Sequence, residues 1–492
     1  MENNTKILNK QIQQSIVKIR SECSSFNWYQ PHKTLDDYKS VGTGFFIDQE
    51  GTILTCCHVI ENSVKIWIII PSEGRDKIEA EVISICPTND LALLKIKNYK
   101  NKSFLKLGDS DKIIQQDKVF AGGYPLSSDK LKFSSGIISG LQGIFLQTDA
   151  PINEGNSGGP LIKYCDNDCE LEVIGINSSK VKSSLADNIG YAVPINLFKI
   201  IKESMFINKI ILKPELLVWF NNSTDHTLEY IESPTDEDCT KGYFISHIDS
   251  KSPLFRAGIR NNDILCSFDG CKIDNFGECN IKGIDDKIHI SDLVQRYVLN
   301  QNVKIVYWDT KNKKVNNVNV SLDVGNDIFK IRKKYFGFEN IDYEIIAGLI
   351  IMELGIDHLE NIKESGLDFN KSVKLMNYHK RKNRFESVLF ITNIFQGSFI
   401  NSTDNLDSGS IINKINNKTV STLKQFREAF LDPVIINGKK YFVLESDNYE
   451  KIIIELNKIK EEEKFLSERF NYKLSNLLNL SIENNENRYF IK

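Results

Sequence analysis

Asp149-Ala150-Pro151-Ile152-Asn153-Glu154-Gly155-Asn156-Ser157-Gly158-Gly159-Pro160 sets one serine between a Gly-Asn turn and a Gly-Gly-Pro exit, directly after a short apolar run. A serine hydroxyl is a weak nucleophile, and the oxyanion that its attack creates must be met by backbone N–H groups already in place. A loop that aims the amides of Gly155 and Ser157 into one small space leaves no room for bulky side chains beside the serine, which accounts for the glycines. A glycine-rich turn with an incidental serine would read the same way in isolation. Two segments upstream decide between the readings.

The first is Leu54-Thr55-Cys56-Cys57-His58-Val59, a β-rich run ending in a histidine. The second is Asn89-Asp90-Leu91-Ala92-Leu93-Leu94, an aspartate opening an apolar strand. A serine nucleophile needs a base for its proton and a carboxylate that holds that base in the right tautomer. His58 by itself reads as a core histidine and Asp90 as a turn residue. In the order His58, Asp90, Ser157 they follow the chymotrypsin pattern, which differs from that of subtilisins and α/β-hydrolases. The expected site is therefore a His58/Asp90/Ser157 triad with an oxyanion hole of the Gly155 and Ser157 amides.

With these residues in place the chain resembles the HtrA/Deg serine proteases. The matching segments are Gly42-Thr43-Gly44-Phe45-Phe46-Ile47, Asp90-Leu91-Ala92-Leu93-Leu94, Gly122-Gly123-Tyr124-Pro125, Ser135-Gly136-Ile137-Ile138-Ser139, the serine loop and Ile189-Gly190-Tyr191-Ala192-Val193-Pro194. The insert Ser25-Phe26-Asn27-Trp28-Tyr29-Gln30-Pro31 and an unusual C-terminal third are most similar to the plant-type Deg branch. The resemblance implies an ATP-independent endopeptidase acting on unfolded or damaged proteins and peptides, with PDZ domains. It also implies a homotrimer, or a multiple of trimers, joined through N-terminal aromatics, for which Phe26, Trp28 and Tyr29 are the candidates. The sequence contains no Walker loop, in keeping with ATP independence. It departs from the family at Leu141-Gln142-Gly143-Ile144, where a longer loop that senses PDZ occupancy usually stands. The alternative function is a catalytically silent, PDZ-bearing chaperone or scaffold.

At 492 residues the chain is too long for one core, and two to four domains are expected. Lys+Arg 62 against Asp+Glu 65 gives a net charge of −3, and nothing in that balance argues for nucleic acid or an anionic membrane surface as partner. No apolar run is long enough to span a bilayer, and Met1-Glu2-Asn3-Asn4-Thr5-Lys6 opens without the apolar segment of a secretory signal. An intracellular location, cytoplasm or nucleus with an organelle still open, follows as an expectation. The ten cysteines then read as reduced thiols. Cys165-x-x-x-Cys169 lacks a second ligand pair, so no metal and no cofactor are expected.

The fold expected is mainly β: a chymotrypsin-like double β-barrel over residues 1–205, then two PDZ-like α+β domains. Short branched or aromatic runs broken by Gly, Asp-Asn and Pro between Val41 and Pro194 carry the barrel reading. A helix from Asn196 closes that domain. Residues 206–325 resemble an HtrA-type PDZ domain, which binds a C-terminal peptide by strand addition. The resemblance assigns Gly242, Tyr243, Phe244 and Ile245 to its carboxylate loop and strand, and Leu293–Val298 to the groove helix. Residues 326–492 hold a degenerate second copy, for packing or assembly, with Ser421 as helix N-cap and a solvated, charge-rich helix from Glu455 to Phe470. In trypsin-like enzymes the base of the specificity pocket lies six residues before the nucleophile. Here that is Pro151, with branched Ile152 beside it, so cleavage after small or medium apolar residues is expected, unless Asp149 swings toward the pocket.

Overall fold

The computed structural model describes residues 10–165, 170–178, 189–232, 239–364 and 366–483. The chain divides into two compact units, residues 1–23 with 38–326, and residues 24–37 with 327–492.

Two β-barrels open the first unit. Strands β1 (Ile16–Phe26), β2 (Thr34–Phe46), β3 (Thr52–Thr55), β4 (Ser63–Ile69), β5 (Lys77–Cys86) and β6 (Leu91–Lys95) close in the order β1-β2-β3-β6-β5-β4. The run Leu91-Ala92-Leu93-Leu94 does not alternate because all four residues are buried. Strands β7 (Lys106–Leu107), β8 (Lys118–Gly123), β9 (Lys132–Gln142), β10 (Phe145–Thr148), β11 (Pro160–Cys165), β12 (Glu170–Ser178) and β13 (Gly190–Pro194) follow. They pair as β11-β8-β9-β10-β13-β12, β12 returns to β11, and β7 lies parallel on β12. Val119, Ala121, Ile138, Leu146, Leu161 and Ile174 fill this second barrel. Helix Ile195–Ile207 then buries Ile195, Phe198, Ile201 and Met205, the three- and four-residue spacing of one helix face. Where the family's longer loop would stand, β9 and β10 form a tight hairpin in which Gln142 faces Phe145.

The rest of the same unit is built on a sheet that begins β14 (Val218–Asn221), β15 (Tyr243–Ile248), β16 (Ile264–Phe268) and continues with Asn302–Asp309 and Lys314–Ser321. Helix Ile290–Val294 contributes Ile290, Leu293 and Val294 to its core. Cys239 and Cys266 form a disulfide, with their Cα atoms 5.2 Å apart. This corrects the expectation that all ten cysteines are thiols. Cys169 of the Cys165/Cys169 pair lies outside the described residues.

The second unit has one sheet of Glu344–Ile346, Leu349–Glu353 and Leu389–Ile394, and another centred on Ile412–Ile415 and Lys439–Ser446. Helix Leu423–Phe430 buries Leu423, Phe426, Ala429 and Phe430. One sequence expectation fails here. The helix Leu456–Phe470 is not simply solvated: Leu456, Ile459, Glu463 and Leu466, spaced three and four apart, are buried. The N-terminal aromatics are committed inside the chain. Tyr29 is buried, its hydroxyl donates to the His358 carbonyl at 2.7 Å, and Trp28 and Phe26 join the same cluster. Phe26 also packs on Phe336 at 5.2 Å between centroids. Phe26 and Trp28 stay half-buried on that cluster.

Candidate active site

Strands β3 and β6 are antiparallel neighbours with Thr55 opposite Ala92. The end of one and the start of the other therefore meet. His58 stands in the 3-10 turn Cys57–Val59 that follows β3, and Asp90 sits just ahead of β6. Asp90 adopts a left-handed conformation, φ 54°, which an aspartate tolerates better than most side chains. That turn aims its carboxylate back at the histidine. One oxygen accepts from the His58 amide at 3.0 Å, and the other lies 2.7 Å from Nδ1. The Asp90 carbonyl accepts from the Cys57 amide at 3.1 Å. An Nδ1–H held by a buried carboxylate leaves Nε2 as the acceptor. Nε2 is buried and takes no hydrogen bond among the described residues.

Ser157 arrives from the other barrel, in the loop between β10 and β11, and is 4% exposed. Close approach explains its glycines. A Cβ on Gly158 would come within 2.0 Å of Thr55 Oγ1 and 2.2 Å of the Thr43 carbonyl, and Gly158 itself has φ +82°. A Cβ on Gly155 would meet the Tyr124 carbonyl at 2.3 Å. The serine loop is thereby pressed against the strand that leads to His58. Thr43 fastens it: its amide donates to the Ser157 carbonyl at 2.9 Å and its hydroxyl to the Gly155 carbonyl at 2.6 Å. The Glu154 carbonyl accepts from the Leu126 amide at 2.8 Å. The carbonyls on this side of the loop are thus occupied, and the Gly155 amide makes no bond among the described residues.

Two further residues belong to the site. Ser178 Oγ donates to Asp90 Oδ2 at 3.1 Å, a second bond that orients the carboxylate. Thr43 is the buckle just described. Sequence reading passed over both; Thr43 stands in the quoted Gly42-Thr43-Gly44 and was the more discoverable. Cys56, His58 and Asp90 bring potential ligand atoms within 4.8 Å of one another. Burial drives the Cys56 thiol well above its usual range, however, and a protonated thiol is a poor metal ligand.

The pocket residues separate. Ile152 is half-buried and packs on the second-barrel core, with its Cδ1 2.9 Å from where a Gly190 Cβ would stand, while Pro151 is exposed. Asp149 is committed elsewhere: its Oδ1 accepts from the Ile137 amide at 2.6 Å, on β9.

The peptide-binding assignment needs correction. Strand addition requires a free edge, and β15, which carries Tyr243, Phe244 and Ile245, is paired on both sides, by β14 and by β16. Gly242 is wedged against Ile264 and Leu265, and Ile245 is fully buried. The edge strand beside β15 is β14, which leads out of Leu217 at φ 54°. Residues around the expected groove helix also reach the barrels: Arg296 forms an ion pair with Asp111, and the Leu141 amide of the β9–β10 hairpin donates to Asp286 at 2.8 Å.

Residues 42–176 match the family model described as a trypsin-like peptidase domain. Do-like 14 of Arabidopsis thaliana is 35% identical over 253 residues, which are 47% of this chain and 57% of that protein. The periplasmic serine endoprotease DegP of Salmonella typhimurium is 32% identical over 250 residues, 49% of this chain and 50% of that protein. The chain thus spans little more than half the length of these curated relatives. Among solved structures, the HtrA-type protease AlgW with decapeptide is 23% identical with a TM-score of 0.48, over 65% of this chain and 97% of that one. Over residues 42–176, which carry His58, Asp90 and Ser157, the chain is similar to trypsin-like peptidase domains, and over about half of its length it is similar to the HtrA/DegP proteases.

Proposed function

We propose that the chain is a serine endopeptidase that cleaves unfolded proteins and peptides without ATP. The observation that carries this reading is the 2.7 Å contact between His58 Nδ1 and Asp90, which leaves Nε2 as a buried acceptor. In the reaction, Ser157 Oγ attacks the scissile carbonyl while Nε2 takes its proton and returns it to the leaving amine. Asp90, steadied by Ser178, holds the ring and stabilises the imidazolium. The Gly155 and Ser157 amides receive the oxyanion, each donor contributing roughly 3 kcal/mol. Hydrolysis of fluorogenic casein tests the proposal: Ser157→Ala should lower the rate by at least about 1,000-fold, and EDTA should leave it unchanged. A Ser157→Ala protein as fast as the parent would sink it.

The half-buried Ile152 supports cleavage after small or medium apolar residues. Burying a Val- or Leu-sized side chain gains about 1.5–3 kcal/mol. A Lys or Arg head would find no partner at Pro151 or Ile152, and Asp149 is already bonded to β9. Cleavage sites mapped by mass spectrometry in denatured casein check this, and a majority after Lys or Arg would overturn it. For peptides ending in a free carboxylate, the binding edge in the first PDZ-like domain is β14.

A further inference from the structure

Behind the loop Tyr124–Leu131, which abuts the oxyanion loop, lies an open cleft of about 600 Å³ in the first unit. Among the described residues its charged lining is Lys18, Arg20, Arg75, Lys77 and Lys130, with Asp129 as the single acid. On a chain of net charge −3 this is a strong local imbalance. Strand register produces it. Lys18 and Arg20 are two apart on β1 and point the same way, Lys18 pairs with Ile69 on β4, and Ile69 pairs in turn with Lys77 on β5. With strands about 4.8 Å apart, Lys18 and Lys77 are anchored about 10 Å from each other across one end of the barrel.

Lys18 is 1% exposed, and its Nζ donates to the carbonyls of Ser127 at 2.6 Å and Ser128 at 2.9 Å, with Asp129 at 3.4 Å. Arg75 approaches the same Asp129 carboxylate at 3.9 Å. Among the described residues, Arg20, Lys77 and Lys130 have no acidic partner. Like charges gathered in a cleft repel one another and raise the local concentration of anions. The cleft volume lies in the usual range for a small-molecule site. A guanidinium with two or three ammonium groups around it suits a ligand with several phosphate groups, which accept bidentate and point-charge contacts together.

We propose that this cleft binds a compact oligophosphate, free or as a lipid headgroup, and that occupancy is transmitted to the oxyanion loop. The path is short. Leu126 and Ser127 are both left-handed, at φ 50° and 62°, a conformation that costs free energy in residues other than glycine and persists only when neighbours impose it. Lys18 supplies that constraint by holding the Ser127 and Ser128 carbonyls. On its other side the same loop donates from Leu126 to the Glu154 carbonyl, one residue before Gly155. An anion that competes with Asp129 for Lys18 and Arg75 changes the hold on the loop that supports the Gly155 amide.

Binding is tested on the full chain carrying Ser157→Ala, by calorimetry with sodium triphosphate at fixed salt, so that it does not depend on catalysis. Saturable binding is expected, weakened at least tenfold by Arg20→Gln with Lys77→Gln and unchanged by Lys382→Gln, which lies in the second unit. No heat from triphosphate, or equal affinity in the double variant, overturns the site. Phosphatidylcholine vesicles with and without phosphatidylinositol bisphosphate identify the source: sedimentation that the double variant abolishes assigns a lipid headgroup, and soluble binding alone assigns a free oligophosphate. Oligothymidylate that binds more tightly than triphosphate through the same residues overturns the compact ligand in favour of nucleic acid. The transmitted effect rests on the proposed peptidase reading and is measured separately. Triphosphate should change the rate of casein hydrolysis at least threefold in the parent and not in the double variant. An unchanged rate with intact binding overturns the transmission alone, and a parent that hydrolyses nothing overturns the peptidase reading, while calorimetry still decides the site.

Discussion

The sheet that follows the barrels in the first unit and the sheet that opens the second differ at one edge. In the first, β14 forms the margin, and its outer side carries no strand among the described residues. In the second, the strand in the corresponding place, Leu349–Glu353, is already paired on its outer side by Glu344–Ile346, the other arm of a tight hairpin. Arg427, on helix Leu423–Phe430, clamps that added arm by donating to Glu344 at 2.8 Å and to both oxygens of Asp342 at 2.7 Å. The chain thereby supplies its own strand where a peptide would have to add. The first domain has an edge to offer, and the second has used its edge for stability.

The largest effect expected from disturbing this arrangement follows from Arg427→Ala. Glu344 is 7% exposed, and removing its cation leaves a buried carboxylate uncompensated. Such changes cost about 3–5 kcal/mol, and because Arg427 is itself about a third exposed, about 3 kcal/mol is the better expectation. Chemical denaturation of the full chain should show the second unit unfolding earlier and the first unmoved. A loss below about 0.5 kcal/mol, the scale of a surface pair, would mean that the hairpin arm does not need its clamp.

The same hairpin predicts a pH dependence. Glu463 accepts from the Gly348 amide in the turn at 3.2 Å and from the Tyr472 hydroxyl at 3.0 Å. Burial pushes its carboxyl up to about 7, against an ordinary value of 4.5. A folded-state value raised in this way means that the native protein holds the proton more tightly than the unfolded chain. The stabilisation is complete below about pH 4.5 and is lost as pH rises through 7. The amount is on the order of 2–3 kcal/mol. The melting temperature of the second unit should fall between pH 5 and 8, and Glu463→Gln should flatten that slope. A slope that survives the substitution would assign the effect to another group.

Peptide binding separates the domains directly. A peptide with an apolar C-terminal residue and a free carboxylate should bind the full chain, and its amide should bind at least tenfold more weakly, the loss of one or two charge-assisted hydrogen bonds. Asn221→Pro on β14 should abolish binding, because proline removes a ladder donor, whereas Arg427→Ala should leave it unchanged. Binding that survives Asn221→Pro would return the site to another edge.

The nucleophile loop was legible because its chemistry is local. Glycines and serine fall within five residues, and each glycine answers to a close backbone or side-chain approach. His58 and Asp90 were legible because chain order is a sequence property, whereas Ser178, 88 residues beyond Asp90, reaches it only through barrel closure. The PDZ edge was misread one strand late. A glycine-led apolar run such as Gly242–Ile245 announces a strand but not how many partners that strand has, and the left-handed turn before β14 falls on Leu217 rather than on a glycine. The aromatics Phe26, Trp28 and Tyr29 announced burial without an address, since their partners near His358 lie more than 300 residues away. In the helix Leu456–Phe470 the signal was present: Leu456, Ile459, Glu463 and Leu466 lie on one face, but one position on that face is a glutamate, and the charge run hid it.

The smallest expected effect concerns the cap of the helix that carries Arg427. The first domain's helix starts at His289, whose ring nitrogen accepts from the Ser291 amide at 3.3 Å. In the second domain the cap is Thr422, not Ser421. Thr422 has an extended backbone and its Oγ1 accepts from the Gln425 amide at 3.2 Å, while Ser421 uses both amide and hydroxyl to reach the Gln425 side chain. Replacing a threonine cap by alanine typically costs about 1 kcal/mol. Here Glu353 Oε1, from the strand beneath, also accepts from the Leu423 amide at 3.0 Å, so one end-of-helix donor stays satisfied and the negative charge still faces the helix N-terminus. Thr422→Ala should therefore cost about 0.5–1 kcal/mol, and Ser421→Ala, exchanging an exposed contact for water, less than half of that. Adding Glu353→Ala to Thr422→Ala should raise the loss beyond the sum of the two single changes, because each substitution removes the acceptor that compensates for the other. Strict additivity in that cycle would mean that the strand and the cap support the helix independently.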